Sequence, residues 1–259
     1  METKNIKLSI DNGIANLCFD LENEKVNKLS QQVLKELQVI LEDIKHNTSI
    51  KILLITSAKK NIFIAGADIG EIKQMSDEHD IYNILISVDA IFRELEQLPY
   101  PTVAVINGAC MGGGLELALC CNYRIATSSS QTKIAFPEIK LGIFPGFGGT
   151  QRCPKLIGLI NSLDLILTGK TIDAKKAHRI GLVDQYFYEG HLEVKTQEFV
   201  NSILNNTLKS KKEPFRYMEY FSFTREIIFS KAKENLVKKA HPNFKGPYAA
   251  LEVIRESYG

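Results

Sequence analysis

The sequence predicts an α/β fold that ends in a helical region, and three observations lead there. Ile50 to Thr56 and Thr102 to Ile106 are apolar, β-branched runs of the kind buried in a mostly parallel sheet. Each run is followed by a loop and then by apolar residues at helical spacing, the order of crossover helices packed on a sheet. The segments near 192 to 204, 215 to 240 and 247 to 257 are amphipathic helical patterns.

Ile6, Leu8 and Ile10 alternate with polar residues, Asp11, Asn12 and Gly13 supply turn chemistry, and Ile14 to Phe19 is a second apolar run, so the chain opens on a β-hairpin. Ser30 is a good N-cap before Val33, Leu34, Leu37, Ile40, Leu41 and Ile44, predicting a helix over about 30 to 46. Ala65 to Ile69 reads AGADI, whose small residues leave backbone amides accessible while Asp68 is placed to cap the next segment. Ile81, Ile84, Leu85, Val88, Ile91, Phe92 and Leu95 give a second amphipathic helix, stopped near Pro99 and Pro101. Later, one helix is predicted over Leu156 to Leu167 and another over Ala174 to Ile180, with Gly181 as a stop and Leu182 to Asp184 as a short strand.

At 259 residues the chain suits one large α/β unit, burying roughly three-quarters of its unfolded surface. With 32 basic and 30 acidic residues the net charge is +2, too balanced for a general nucleic-acid binder but open to a small anionic ligand. There is no apolar signal core, and no run approaches the roughly 18 apolar residues of a membrane-spanning helix. Five cysteines, odd in number and mostly in apolar surroundings, point to a reducing compartment, the bacterial cytoplasm or the mitochondrial matrix.

The stretch from Asn107 to Arg152 carries the chemistry. Gly112, Gly113 and Gly114 lead into a helical pattern containing Glu116, so a bare backbone meets a helix N-terminus, a site for negative charge on oxygen. Glu138 follows Pro137 after a β-like run from Thr132 to Phe136, and a second Gly/Pro loop runs from Gly142 to Gly149. Two carboxylates thus flank a glycine-built pocket. Taken singly, each has a plain reading: acidic residues are favoured in a first helical turn, and a glutamate after a strand is commonly a surface group. Competing motifs fail. GKT at Gly169 to Thr171 has Asp164 where a phosphate loop needs glycine, and Gly146, Gly148 and Gly149 are followed by Gln151 where a dinucleotide fingerprint needs glycine. No HExxH, paired CxxC or GxSxG occurs, and the five histidines are scattered, which leaves carboxylates as the acid–base candidates and predicts no metal site. Lys231, Lys233, Lys238 and Lys239 form a basic face that is ordinarily just solvated, with phosphate binding as the alternative.

AGADI at 65 to 69, INGACMGGGLELAL at 106 to 119, FPEIKLGIFPGFGGTQR at 136 to 152 and LTGKTIDAKKAHRIGLVD at 167 to 184 together resemble the enoyl-CoA hydratase/isomerase, or crotonase, superfamily. The resemblance implies a crotonase-like spiral of ββα units over about residues 1 to 190, with the acyl-CoA site, and a C-terminal helical region over 191 to 259. It implies an oxyanion hole from the amides of Ala67 and Gly113, and Glu116 and Glu138 as the pair that activates water. It further implies substrate or CoA contacts at Lys25, Val26, Ala65, Gly66, Ala67, Asp68, Ile69, Gly112, Pro137 and Gly146, with no cofactor beyond the CoA of the substrate. One position departs from the pattern: Gly70 stands where many relatives place a lysine for the CoA phosphates.

The reaction so implied is hydration of a 2-enoyl-CoA in fatty-acid β-oxidation, with isomerisation through Glu138 alone and a non-catalytic acyl-CoA-binding module as alternatives. Phe223 to Gly259 resembles the segment closing the hydratase region of multifunctional fatty-acid oxidation α subunits. That implies a longer chain with an NAD-dependent dehydrogenase portion and a thiolase partner, or else a homo-oligomer. On this reading the apolar face of the last helix, with Leu251 and Ile254, is exposed or borrowed by a neighbouring copy.

Overall fold

The structure, a computed structural model, describes residues 3–74, 77–208, 217–239 and 244–258. The ends of the helical pattern predicted near 215 to 240 (215, 216 and 240) and His241 lie outside the described residues. Strands β1 (Ile6–Asp11) and β2 (Ile14–Phe19) form the expected antiparallel hairpin, turning at Asn12 and Gly13. Ser30 Oγ then accepts from Val33 N at 3.3 Å and caps α1 (Gln31–Ile44), whose apolar stripe is buried as its spacing requires.

From there one unit recurs three times. β3 (Ile52–Ser57) is followed by β4 (Ile62–Ile64), then by α2 (Ile69–Gln74) and α3 (Glu78–Glu96). β5 (Thr102–Ile106) is followed by β6 (Ala109–Met111) and α4 (Gly113–Cys120). β7 (Tyr123–Thr127) is followed by β8 (Ile134–Ala135) and a 3-10 turn over Pro137–Leu141. The first strand of each unit enters a six-stranded sheet, closed at one edge by β9 (Gln185–Phe187), of order β1-β2-β3-β5-β7-β9. The second enters a three-stranded sheet of order β4-β6-β8. Apart from the hairpin, the named strands of the two sheets pair in parallel, so the chain advances as a spiral of ββα turns.

Two expectations shift. The helix predicted over 156 to 167 is two helices, α5 (Gly149–Ile157) and α6 (Leu159–Thr168), parted at Gly158 with φ +80°. Glu219 fills the break: its Oε1 accepts from Leu159 N at 2.9 Å, and its Oε2 from Tyr258 Oη at 2.6 Å. After α7 (Ala174–Arg179) the strand expected at 182 to 184 comes slightly later, as β9. Leu182 and Val183 are buried instead and donate their amides to the carbonyl of Ala177 as the chain wraps the helix end.

Alternation along the large sheet divides the core in two. Leu53, Ile55, Ala104, Ile106 and Ala126 face the main core, while Ile52, Val103, Val105 and Ile125 pack with Phe199, Val200 and Ile203 of α8 (Leu192–Leu204). Strands covered on both faces read as continuous apolar runs, which is why β5 is buried at all five positions.

The last helices are α9 (Ser222–Lys239) and α10 (Lys245–Ser257). Leu251 and Ile254 are not on a free face: they are 3% and 0% exposed, in the main core cluster with Phe229, Leu236 and residues of α5 and α6. Their helical spacing holds, but the surface that covers them belongs to the same chain. Lys238 of α9 pairs with Glu234 at 2.5 Å, and Lys231 and Lys233 stand exposed beside it.

Arg124 of β7 is the largest fully buried side chain. Its guanidinium donates to the carbonyls of Ala118 and Cys121 at the end of α4, at 3.2 and 2.6 Å, and to that of Leu182 at 2.9 Å. Asp184 Oδ2 lies 3.8 Å from Nη2 and accepts from Arg124 N at 2.7 Å, so the buried cation is compensated. Among the described residues no helix is long and apolar enough to cross a membrane.

Candidate active site

Two backbone amides meet where the three-stranded sheet hands over to α4. Leu29 pairs with Ala67 in a parallel bridge that uses the neighbouring groups, Leu29 N to Gly66 O at 2.8 Å and Asp68 N to Leu29 O at 3.1 Å. A parallel ladder of this kind directs the N–H of Ala67 to the opposite side. Gly112 holds φ +50° and ψ −124°, a conformation open to glycine, and turns β6 into α4 so that Gly113 N is the first unused helical amide. A methyl group on Gly113 would stand 3.3 Å from Ala67 N, so the two amides border one narrow gap at the positive end of a helix.

Glu116 lies one turn along α4 from Gly113, and Glu138 lies against Gly112. Glu116, 1% exposed, accepts from Phe147 N and Gly149 N, both at 2.8 Å and both on Oε1, which leaves Oε2 without a backbone donor. Gly148, with φ +94°, bends the loop so that the amides on either side of it converge on one oxygen, an anion-binding nest. Glu138 sits on the 3-10 turn that Pro137 begins, against the bare α-carbon of Gly112, and its Oε2 is buried without a hydrogen-bond partner. Burial raises the pKa of both groups, and for Glu116 the neighbouring Glu138 charge raises it further, while the two loop amides pull it back. Such a pair holds a proton near neutral pH and shares it, which is what acid–base chemistry needs.

The early loop is laid on AGADI. Asn27, fully buried, receives Leu21 N and donates to the carbonyls of Phe19 and Phe63 and to Ser57 Oγ, and its own carbonyl accepts from Ala65 N at 2.8 Å. That lays residues 27 to 29 along Ala65 to Asp68, with exposed Lys25 and half-buried Val26 in the chain just ahead of the paired stretch. Asp68 is committed elsewhere: it pairs with Lys28 at 2.9 Å and accepts from Gly70 N at 2.9 Å, so it caps α2 as its sequence position suggests. Ile69 is exposed, and Gly146 packs against Leu85 of α3, where a methyl would come within 3.0 Å of the leucine. Sequence reasoning missed Glu96 and Arg152, which form a two-pronged ion pair beside the Phe147 loop. Arg152 closes the GGTQR motif, but Glu96 carries no local signal.

Residues 9–240 match the enoyl-CoA hydratase/isomerase family. The chain belongs to that family. It is 38% identical over 255 residues to the fatty acid oxidation complex subunit alpha of Vibrio parahaemolyticus, a match covering 98% of this chain and 36% of that protein. With the Shewanella amazonensis protein of the same description it shares 40% over 248 residues, covering 95% and 35%. The chain thus spans about a third of the length of these relatives. The crystal structure of an enoyl-CoA hydratase from Bacillus anthracis superposes with a TM-score of 0.72 at 30% identity, covering 92% of each chain. The ββα spiral is thus shared with that solved structure over 92% of each chain.

Proposed function

We propose that this chain is an enoyl-CoA hydratase, adding water across the 2,3 double bond of a 2-enoyl-CoA to give a 3-hydroxyacyl-CoA. The observation that carries the reading is a pair of carboxylates, buried Glu116 and half-buried Glu138 with its Oε2 enclosed, beside the gap that two unused amides border. The thioester oxygen accepts from Ala67 N and Gly113 N, which draws electrons from C3 and stabilises the enolate as it forms. Ionised Glu116, pinned through Oε1, takes a proton from water with Oε2 as the water oxygen bonds to C3. Protonated Glu138 gives its proton to C2, and the C2–C3 double bond becomes a single bond. The water supplies one proton and the hydroxyl, and the pair ends with the one proton it began with, now on Glu116. No cofactor enters beyond the CoA of the substrate.

CoA lies along AGADI and the Lys25–Val26 loop in this reading. The relatives described as fatty acid oxidation complex subunit alpha support a place in fatty-acid β-oxidation, with a dehydrogenase and a thiolase acting on the product. The test is spectroscopic: purified protein added to crotonyl-CoA removes the ultraviolet absorbance of the conjugated thioester and yields 3-hydroxybutyryl-CoA. A folded protein that leaves the absorbance unchanged sinks the proposal.

A further inference from the structure

Arg152 stands in the first turn of α5, yet its side chain is only 13% exposed and turns back beneath the loop that holds Glu116. Nε and Nη2 each donate to one oxygen of Glu96 at 2.8 Å, a fork that arginine alone can make. Nη1 donates to the carbonyl of Phe147 at 2.9 Å. The guanidinium lies on the bare α-carbon of Gly148, where a methyl would be 1.8 Å from Nη1, and its carbon is 6.0 Å from the ring centre of Phe92. Phe92 in turn meets Phe147 edge to face at 6.0 Å. Glu96 and Phe92 both belong to α3, so one side chain ties that helix to the loop whose amides grip Glu116.

This is more than stability requires. Glu96 is 36% exposed, and an ion pair with an exposed partner adds little to folding. What the fork and the carbonyl contact do is fix the orientation of the 147–149 peptides. Those peptides fix Oε1 of Glu116, and with it the direction in which Oε2 faces.

We propose that Arg152, clamped by Glu96, is a positioning residue for Glu116. It holds the loop amides at the distance and angle that keep the carboxylate aimed. The kinetic consequence rests on the hydratase reading; the effect on the Glu116 carboxyl does not.

The experiment compares Arg152→Met, Arg152→Lys, Glu96→Gln and the Arg152→Met/Glu96→Gln pair in the full chain. The readouts are thermal midpoint, crotonyl-CoA hydration across pH, and the Glu116 carboxyl titration followed by NMR of 13C-labelled glutamate. Arg152→Met lowers kcat about 10- to 100-fold with KM nearly unchanged and the thermal midpoint close to that of the parent. Glu96→Gln acts in the same direction, Arg152→Lys does not rescue because an ammonium cannot make the fork, and the double variant is no worse than Arg152→Met. The Glu116 titration moves up in Arg152→Met, since looser amides and a lost cation both favour the protonated form. A folded Arg152→Met with parental kcat and parental Glu116 titration overturns the proposal. Should that variant not fold, an unchanged kcat and titration in folded Glu96→Gln overturns it equally. If the parent protein turns over no enoyl-CoA, the hydratase reading fails by itself and the carboxyl titration alone decides whether Arg152 positions Glu116.

Discussion

Glu138 rests against the α-carbon of Gly112 so closely that a methyl group there would lie 2.6 Å from its Oε1. Gly112→Ala therefore has two effects: it strains a backbone held at φ +50°, and it pushes a carboxylate out of place. The expected cost is about 1–3 kcal/mol in stability and a loss of hydration of about 100-fold. Gly190→Ala, where nothing lies within 4 Å, serves as the control and leaves both unchanged. Denaturant midpoints and kcat for the two variants check this.

Glu116→Gln and Glu138→Gln each lower hydration by about 10²- to 10⁴-fold, the range for removal of a general acid or base. Acyl-CoA binding survives in both, because neither change touches the amides of Ala67 and Gly113. Unchanged turnover in both variants would exclude the mechanism.

The pair also sets a pH dependence of stability. Burial and then the Glu138 charge push the Glu116 pKa well above the ordinary 4.5, and burial pushes that of Glu138 above it as well. In this window the unfolded chain has released protons that the fold still holds. Stability contributed by the pair is therefore largest below about 4.5, falls as pH rises through the raised values, and levels off above them. Urea midpoints measured from about pH 5 to about pH 8 show a shallower fall in Glu116→Gln than in the parent. An identical slope in the two proteins assigns the dependence to other groups.

Glu219 is a structural carboxylate, and its loss reads out differently. Glu219→Ala strands Leu159 N and removes the bond Tyr258 Oη makes to the carboxylate, with an expected destabilisation of about 1.5–3 kcal/mol from the loss of a charged acceptor. Thermal unfolding shows the loss, while kcat at a temperature where the variant is folded stays close to that of the parent.

The contrast between Glu116 and Glu219 marks what is legible in the sequence. Glu116 is visible because three glycines precede it and a helical pattern contains it, so the local chain reveals the site. Glu219 acts on a helix break some sixty residues away, in an apolar stretch whose spacing runs through Gly158 without a pause, so the pattern suggests one helix where two stand. Strand β5 and helix α1 are evident from an unbroken apolar run and an amphipathic stripe. β4 and β6 are three residues long, too short to show a period, so of the small sheet that sets Ala67 beside Gly113 only β8 shows, inside the β-like run from Thr132 to Phe136. Arg152 lies inside a recognised motif, but its partner Glu96 is placed by the packing of α3 and by nothing local.

Arg124 gives the site a thermodynamic property of its own. α4 is only eight residues long, a length that frays readily in isolation, yet a buried guanidinium binds its last carbonyls and anchors them to the chain entering β9. No small local opening releases those carbonyls, because freeing them exposes an arginine at the centre of the core. The hydrogen-bonded amides toward the end of α4, unlike the open amide of Gly113, thus exchange with solvent deuterium only when the whole molecule unfolds, and their protection equals the global stability. The segment bearing Glu116 belongs to the last part of the protein to open, so heat or denaturant abolishes the pocket together with the fold and not ahead of it.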